Sequence, residues 1–418
     1  MQSVTTNAEQ QTSKQGGLAD LLLGIAPFLI GAQLLGFIFF LPAALQGHSS
    51  FRQLYTAGYM VRTGHAHELY DYDAQKNFQD HLVSHEQMLM PFIRPPFDAV
   101  AYAPLSLLSY RKAFIAILLL NIFFVILTLF ALRLHTANLQ IRSRWLPATM
   151  IASFVPVGSA LMMGQDSIAL LALLSWAMIA LAKKKDGTAG ILAGLGLFKF
   201  HIVVPLAVLL LCWRRFRFFL AFGTVAVALV GISVWVAGPA QLKLYAASLL
   251  SIGSGTSESQ QLLRYPLPVT MMPNIHGLVA GTLGQHTSGP FTMVVTGLIA
   301  TGALVWVAMA MRRVGSAHWA IPVAITASTF ASHYLFVYDL PVLLLPLALL
   351  TNSALGHNSA KPEWLNSFSC AGLFLAPAVL FFFASYFYWV SLFVLFFLIV
   401  LVRNAKNECS ERAMTICP

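Results

Sequence analysis

The chain has 418 residues, of which 58% are hydrophobic and 10% charged, and its mean hydropathy of +0.74 reflects more long apolar runs than one soluble core can hold. The runs are continuous rather than alternating, which disfavours a membrane β-barrel and favours helices, whose backbone is satisfied within each segment. The formal net charge of +10 sits in short clusters between apolar runs, without the aromatic-interleaved basic stripe of a nucleic-acid binder, so the charge reads as membrane flanks and no nucleic-acid partner is expected.

In chain order, residues 1–18 are polar and expected to be a disordered cytoplasmic N-terminus. The run from about Leu21 to Leu45 is too long for the apolar core of a signal peptide and has only Lys14 ahead of it. It reads as an uncleaved first helix. Further runs lie at about 113–132, 147–163, 167–182, 188–198, 201–212, 219–237, 289–311, 317–336, 338–351, 368–383 and 386–402. The expected fold is an all-α polytopic membrane protein of about 10–12 transmembrane helices, with a large outward first loop. It forms a single membrane domain, residues 19–402, followed by a cytoplasmic tail, 403–418. Several runs are short, as in helices that stop part-way and line a cavity. No internal repeat is visible.

The stretch Gly187 to Cys212 reads as one interrupted helix or as a hairpin of two half-helices. A hairpin places Arg214, Arg215 and Arg217 on the same side as Lys183, Lys184 and Lys185, and the positive-inside rule favours it. The loops 46–112 and 238–288 then both face outward, as do the turns near Gly164–Asp166, Lys199–His201 and Val337–Asp339. The acids Glu68, Asp71, Asp73, Asp80, Glu86 and Asp98 fall in the first loop, and Glu258 in the second, on that same side. Gly190 and Gly194 mark close helix packing. The cysteines, Cys212, Cys370, Cys409 and Cys417, form no CxxC pair and suggest neither zinc nor a disulfide framework.

The polar residues among the apolar runs are the functional candidates. In Met163-Gly164-Gln165-Asp166 the glycine provides a tight turn; Gln165 faces a ligand, and Asp166 does so or caps the following helix. Lys199, beside His201 in an apolar stretch, needs water or an anion, and a phosphate is a natural partner; snorkelling to the interface is the alternative. His333 and Tyr338-Asp339 flank a turn, with His333 suited to phosphate binding or proton handling and Asp339 to holding it. Pro91, Pro95 and Pro96 set Arg94 on a rigid backbone, ready for a phosphate, a carboxylate or a structural salt bridge. Asn274 and His276 close one side of a cavity.

Phe51-Arg52-Gln53-Leu54-Tyr55-Thr56-Ala57-Gly58, Gly64, Leu69-Tyr70-Asp71, Arg94-Pro95-Pro96-Phe97 and Pro104-Leu105 resemble the first-loop pattern of glycosyltransferase family 87. Gly164-Gln165, Lys199, His333 and Tyr338-Asp339 match later blocks, so the resemblance runs from about residue 46 to 350. It implies the C-type glycosyltransferase fold, a polyprenyl-phosphate sugar donor (typically mannose), and action at the outer side of the cytoplasmic membrane on a glycan or glycolipid acceptor. The family pattern has an Asp before the first-loop Phe as the expected base; here that position is Ser50. A serine is no general base at neutral pH without help, so either another group such as His48, Glu68, Asp71 or His333 serves, or the acceptor chemistry differs, or transferase activity is lost. The catalytic candidates are therefore His333, Asp339 and Asp71. Those for substrate binding are Tyr55, Arg94, Gln165, Asp166, Lys199, His201, Asn274 and Tyr338. No cofactor beyond the donor substrate and no metal is expected, and membrane lipid is the surrounding partner. The alternative is a transporter or flippase, or an inactive homologue that binds a lipid-linked sugar.

Overall fold

The computed structural model describes residues 17–83, 88–254, 268–284, 289–314, 316–356 and 363–416. Lys14, Glu86, Glu258, Lys361 and Cys417, and the side chains of Cys409 and Arg412, lie outside the described residues. Among those described there are helices and no strands. Seven helical stretches are long and apolar enough to cross a bilayer: Leu18–Leu45, Tyr110–Arg133, Asp186–Cys212, Phe216–Leu250, Gly289–Met311, Val337–Gly356 and Ala384–Asn407. The shorter apolar helices Ser167–Ala182 and Trp364–Leu380 run among them. This is the all-α polytopic fold that the composition requires.

The run at 147–163 is two helices, Leu146–Ser153 and Val155–Met162, because Pro156 has no N–H for the carbonyl of Ala152. Gln33, from the first helix, donates to that carbonyl at 3.1 Å. Gly158 leaves the room for it, since a Cβ there would lie 2.0 Å from the Gln33 amide oxygen. A sequence-local break is thus repaired by a neighbouring helix, which fixes the two against each other.

The stretch Asp186–Cys212 would be roughly 40 Å long as one straight helix. Its two ends instead meet. Arg215 lies 3.5 Å from Asp186, and the Phe218 carbonyl packs on Gly190 while Val225 packs on Gly194. The helix from Phe216 therefore runs alongside Asp186–Leu195 from the same level. The chain reverses at the 3-10 turn Gly196–Lys199 and returns as Phe200–Cys212. This is the hairpin that the charge pattern favours, and the glycines serve the close packing expected of them.

Two faces result. At one, Trp213 donates to the Val314 carbonyl at 2.8 Å, Asn138 to that of Asn352 at 3.0 Å, and Arg142 pairs with Asp20. The basic clusters lie at this face. At the other are the first loop, the turn Gly164–Asp166, Lys199 and Asp339. The first loop is mostly helical, with helices Phe51–Arg62, Tyr72–Leu82 and Pro96–Tyr102. Phe51, Tyr55, Tyr102, Tyr110 and Phe114 form an aromatic core that joins it to the membrane helices. The segment after Gly238, expected as loop, is helix as far as Ser254, with the break at the left-handed φ of 82° at that glycine. Gln241 accepts from the Tyr70 amide at 3.1 Å, and Tyr72 donates to Ser248 at 2.9 Å, so the two outer segments brace each other.

Replacing Gln33 by Leu leaves the Ala152 carbonyl unpaired and is expected to cost about 1–3 kcal/mol. Gly158→Ala, which displaces the same amide, should lower the thermal unfolding midpoint in the same direction. Unchanged midpoints in both would show that the repair does not hold these helices together.

Candidate functional site

Five charged side chains from four parts of the chain meet beneath the first loop. Arg94 leaves the proline-rich strap before the helix Pro96–Tyr102, and Asp98 lies one turn later on that helix. Asp166 comes from the turn ahead of Ser167–Ala182, Lys199 from the tip of the hairpin, and Asp339 from the 3-10 turn Val337–Leu343. All five are buried.

Arg94 donates to Asp98 at 2.9 Å, to the two oxygens of Asp166 at 2.5 and 3.1 Å, and to the Gln165 side-chain oxygen at 2.6 Å. Tyr102 adds a hydrogen bond to Asp166 at 2.9 Å. Lys199 is 2.6 Å from Asp339, 3.5 Å from Asp166 and 3.4 Å from the same Gln165 oxygen. Ser167 and the Phe336 amide complete Asp339 at 3.0 and 2.9 Å. Two cations thus face three carboxylates, a fully bonded arrangement of the kind that low-dielectric surroundings demand. Burial pushes the Asp98 carboxyl up, to about 6, with Arg94 pulling against the rise and Asp166 adding to it. Burial also opposes ionisation of Asp166, but Arg94 and Lys199 outweigh it and hold that carboxyl well below the usual range.

Gln165 is the hinge of the network. Its oxygen takes both cations, so its amide nitrogen must point the other way, to the Ser50 hydroxyl at 2.5 Å. Ser50 donates onward to the Met163 carbonyl at 3.1 Å. Gly164 makes this possible: its φ is 61°, and a Cβ there would lie 2.8 Å from the Cβ of Phe51.

Two adjoining cavities open from the cluster. The smaller, about 40 Å³, is bordered by Arg94, Gln165, Lys199, His201, Phe198 and Leu249 among others, room for a few waters. The larger, about 200 Å³, is bordered by Ser50, Met90, Met163, Met271 and Phe336. Gln53, Ile93, Tyr334 and Tyr338 line both. The Tyr338 ring also lies under the Lys199 ammonium, 5.6 Å from its centroid.

The structure brings together Arg94, Gln165, Asp166, Lys199, His201, Asp339 and Tyr338. It does not bring in the rest. Asp71 is exposed and caps the helix Tyr72–Leu82, accepting from the amides of Asp73 and Ala74 at 2.9 and 3.2 Å. Tyr55 sits in the aromatic core and donates to the Leu108 carbonyl at 2.8 Å. Asn274 caps its own helix and donates to the Ser332 carbonyl at 2.8 Å, fixing the chain before the 333–339 turn. His333 stacks on His276 with centroids 4.8 Å apart. The expectation that Asp339 holds His333 is corrected: both Asp339 oxygens are taken by Lys199, Ser167 and the Phe336 amide. Asp166 makes no side-chain cap, because Arg94 and Tyr102 engage it instead. Sequence reasoning gave no role to Asp98, Tyr102, Ser167 or Gln53. For Asp98 a signal existed, since it stands four residues after Arg94, in the first turn of the helix that follows the strap.

A polytopic helical membrane protein with a buried polar cluster under an extramembrane loop is the class that fold and site define. The model of glycosyltransferase family 87 matches residues 92–337, which include Arg94, Asp98, Gln165, Asp166, Lys199 and His201 and end just before Tyr338 and Asp339, and the chain belongs to that family. It is thus a membrane glycosyltransferase. Neither a curated protein nor a solved structure matches the chain.

Replacing Lys199 by Met leaves three buried carboxylates against one cation and is expected to cost about 3–5 kcal/mol of stability. Lys199→Met combined with Asp339→Leu should cost less than Lys199→Met alone, as read by thermal unfolding in nanodiscs. A single variant as stable as the wild type would contradict the ion pairing described.

Proposed function

We propose that the protein is an inverting transferase that takes a sugar, mannose on the family resemblance, from a polyprenyl-phosphate donor and passes it to a glycan or glycolipid acceptor. The observation that carries this reading is that the cavity bordered by Lys199 and Arg94 adjoins a larger one, with Gln53, Ile93, Tyr334 and Tyr338 lining both. The first suits an anionic head group, and the second has room for the reacting sugar and an incoming hydroxyl. The donor phosphate lies against Lys199 and Tyr338, and the sugar extends toward Gln53 and Ser50. The acceptor hydroxyl attacks the anomeric carbon, the bond from that carbon to the phosphate oxygen breaks, polyprenyl phosphate leaves with the electron pair, and the proton of the hydroxyl is released to water in the cavity. Fixed donors around the departing phosphate lower the barrier without reorganising.

The positive-inside rule assigns the basic face to the cytoplasm and the site to the outer face of the inner, cytoplasmic membrane. Clustering at one face also favours a transferase over a transporter, whose ionisable groups belong near the midplane. Ser50 is not the base in this reading. Its proton is committed to the Met163 carbonyl, and its oxygen already accepts from Gln165.

The test is transfer of radiolabelled mannose from polyprenyl-phosphate mannose to membrane-extract acceptors by the protein in nanodiscs. Wild type should transfer and Lys199→Ala should not. Gln53→Ala, at the junction of the cavities, should lose about 10- to 100-fold in kcat/KM. Donor binding without transfer by wild type would make the protein a lipid-sugar binder, with Ser50→Asp the variant to build next.

A further inference from the structure

The cluster that this reading uses to hold the donor carries no spare positive charge. Arg94 and Lys199 face Asp98, Asp166 and Asp339, so an incoming phosphodiester would add to an anionic excess. Such a complex at low dielectric needs a compensating proton.

One side chain on the cavity wall is placed to carry it. His201 borders the same small cavity as Lys199, and its Nε2 is buried with no hydrogen-bond partner. Buried polar atoms without partners are rare enough to require an explanation. Its neighbours are aromatic, with Phe200 and Tyr334 meeting the ring edge-on at 5.6 and 6.2 Å. The charged and titratable groups facing it are Asp339, Lys199, Arg94 and His333. The imidazoles of His276 and His333 are engaged with each other, since His276 donates to the His333 carbonyl at 2.9 Å and the two rings stack.

Resting on the transferase reading only for the identity of the donor, we infer that His201 takes up a proton together with the phosphodiester and that its Nε2–H then holds a phosphate oxygen. Proton and anion enter as a pair, because imidazolium without the phosphate would be an unpaired buried charge. After the sugar leaves, the same proton meets the second charge that develops on the phosphate.

The experiment is binding of a polyprenyl methyl phosphodiester, which stays a monoanion across the neutral range, to the protein in nanodiscs between about pH 6 and pH 8. Wild-type Kd should rise with pH, by up to ~tenfold per pH unit for one linked proton. His201→Phe and His201→Gln, each checked for a wild-type unfolding midpoint, should bind weakly at the acid end and show no slope. His201→Arg should bind tightly without a slope. Asp98→Asn should keep the slope, since Asp98 lies behind Arg94 and does not border the cavity. A wild-type slope in both His201→Phe and His201→Gln overturns the inference, as does a slope abolished by Asp98→Asn instead. Absence of sugar transfer by wild type would remove the transferase reading and leave this binding result standing.

Discussion

A lysine and an arginine removed from water inside a membrane protein persist only where carboxylates are delivered to them with good geometry. The pairing of Lys199 with Asp339, and of Arg94 with Asp166, is therefore the constraint on which the rest of the site-facing half depends. It requires the hairpin tip, the turn at Gly164, the 3-10 turn at Val337 and the first loop to end at one place. Gln165, with one oxygen shared by both cations, joins the two pairs into a single unit. A shift of any of the four segments would strand a charge, so the electrostatics act as a register for the whole face.

The short and broken helices follow from that requirement. Helices long enough to span the bilayer with margin would carry their ends past the cluster. Pro156 breaks one run, and the carbonyl it frees is taken up by Gln33. Gly196 to Lys199 reverses the chain so that an ammonium, rather than a helix side, reaches the centre. Ser167–Ala182 is short enough to start at the cluster, with Asp166 just before its first residue, facing Arg94. The roof is held separately, by its aromatic core and by Gln241 and Ser248 on the helix beyond Gly238. That division lets the wall of the cavities be apolar while the floor is ionic.

Much of this was legible in the chain. Apolar runs mark the membrane helices, and the hairpin follows from charge because each arm of about a dozen residues ends beside a basic group. The residues that break hydrophobic patterns at Gln165, Lys199 and Asp339 mark the site because a polar side chain in lipid needs a reason. What the pattern does not reveal is partner choice. Asp339 stands six residues from His333, yet the fold turns it to Lys199, distant by 140 residues. Asp71 looks like the other loop acids until its helix forms and claims it as a cap. The segment after Gly238 reads as loop because Gly238-Pro239 signals a break, while the helix resumes directly beyond it. The pairing of Asp339 is decided by long-range packing that local sequence does not encode, whereas the cap at Asp71 is a contact within its own helix start.

In the proposed reaction the two adjoining cavities are where a lipid-borne sugar is handled, with the ionic floor ordering the head group and the methionine-lined space receiving the acceptor. The most direct test is photo-crosslinking with a polyprenyl-phosphate mannose that carries a diazirine beside the phosphate, followed by mass spectrometry of the labelled peptides. The account predicts labels within 91–95, 198–201 and 334–338, reduced by excess unlabelled donor. Specific labelling confined to the basic face, around Lys183–Lys185 or Arg214–Arg217, would contradict it.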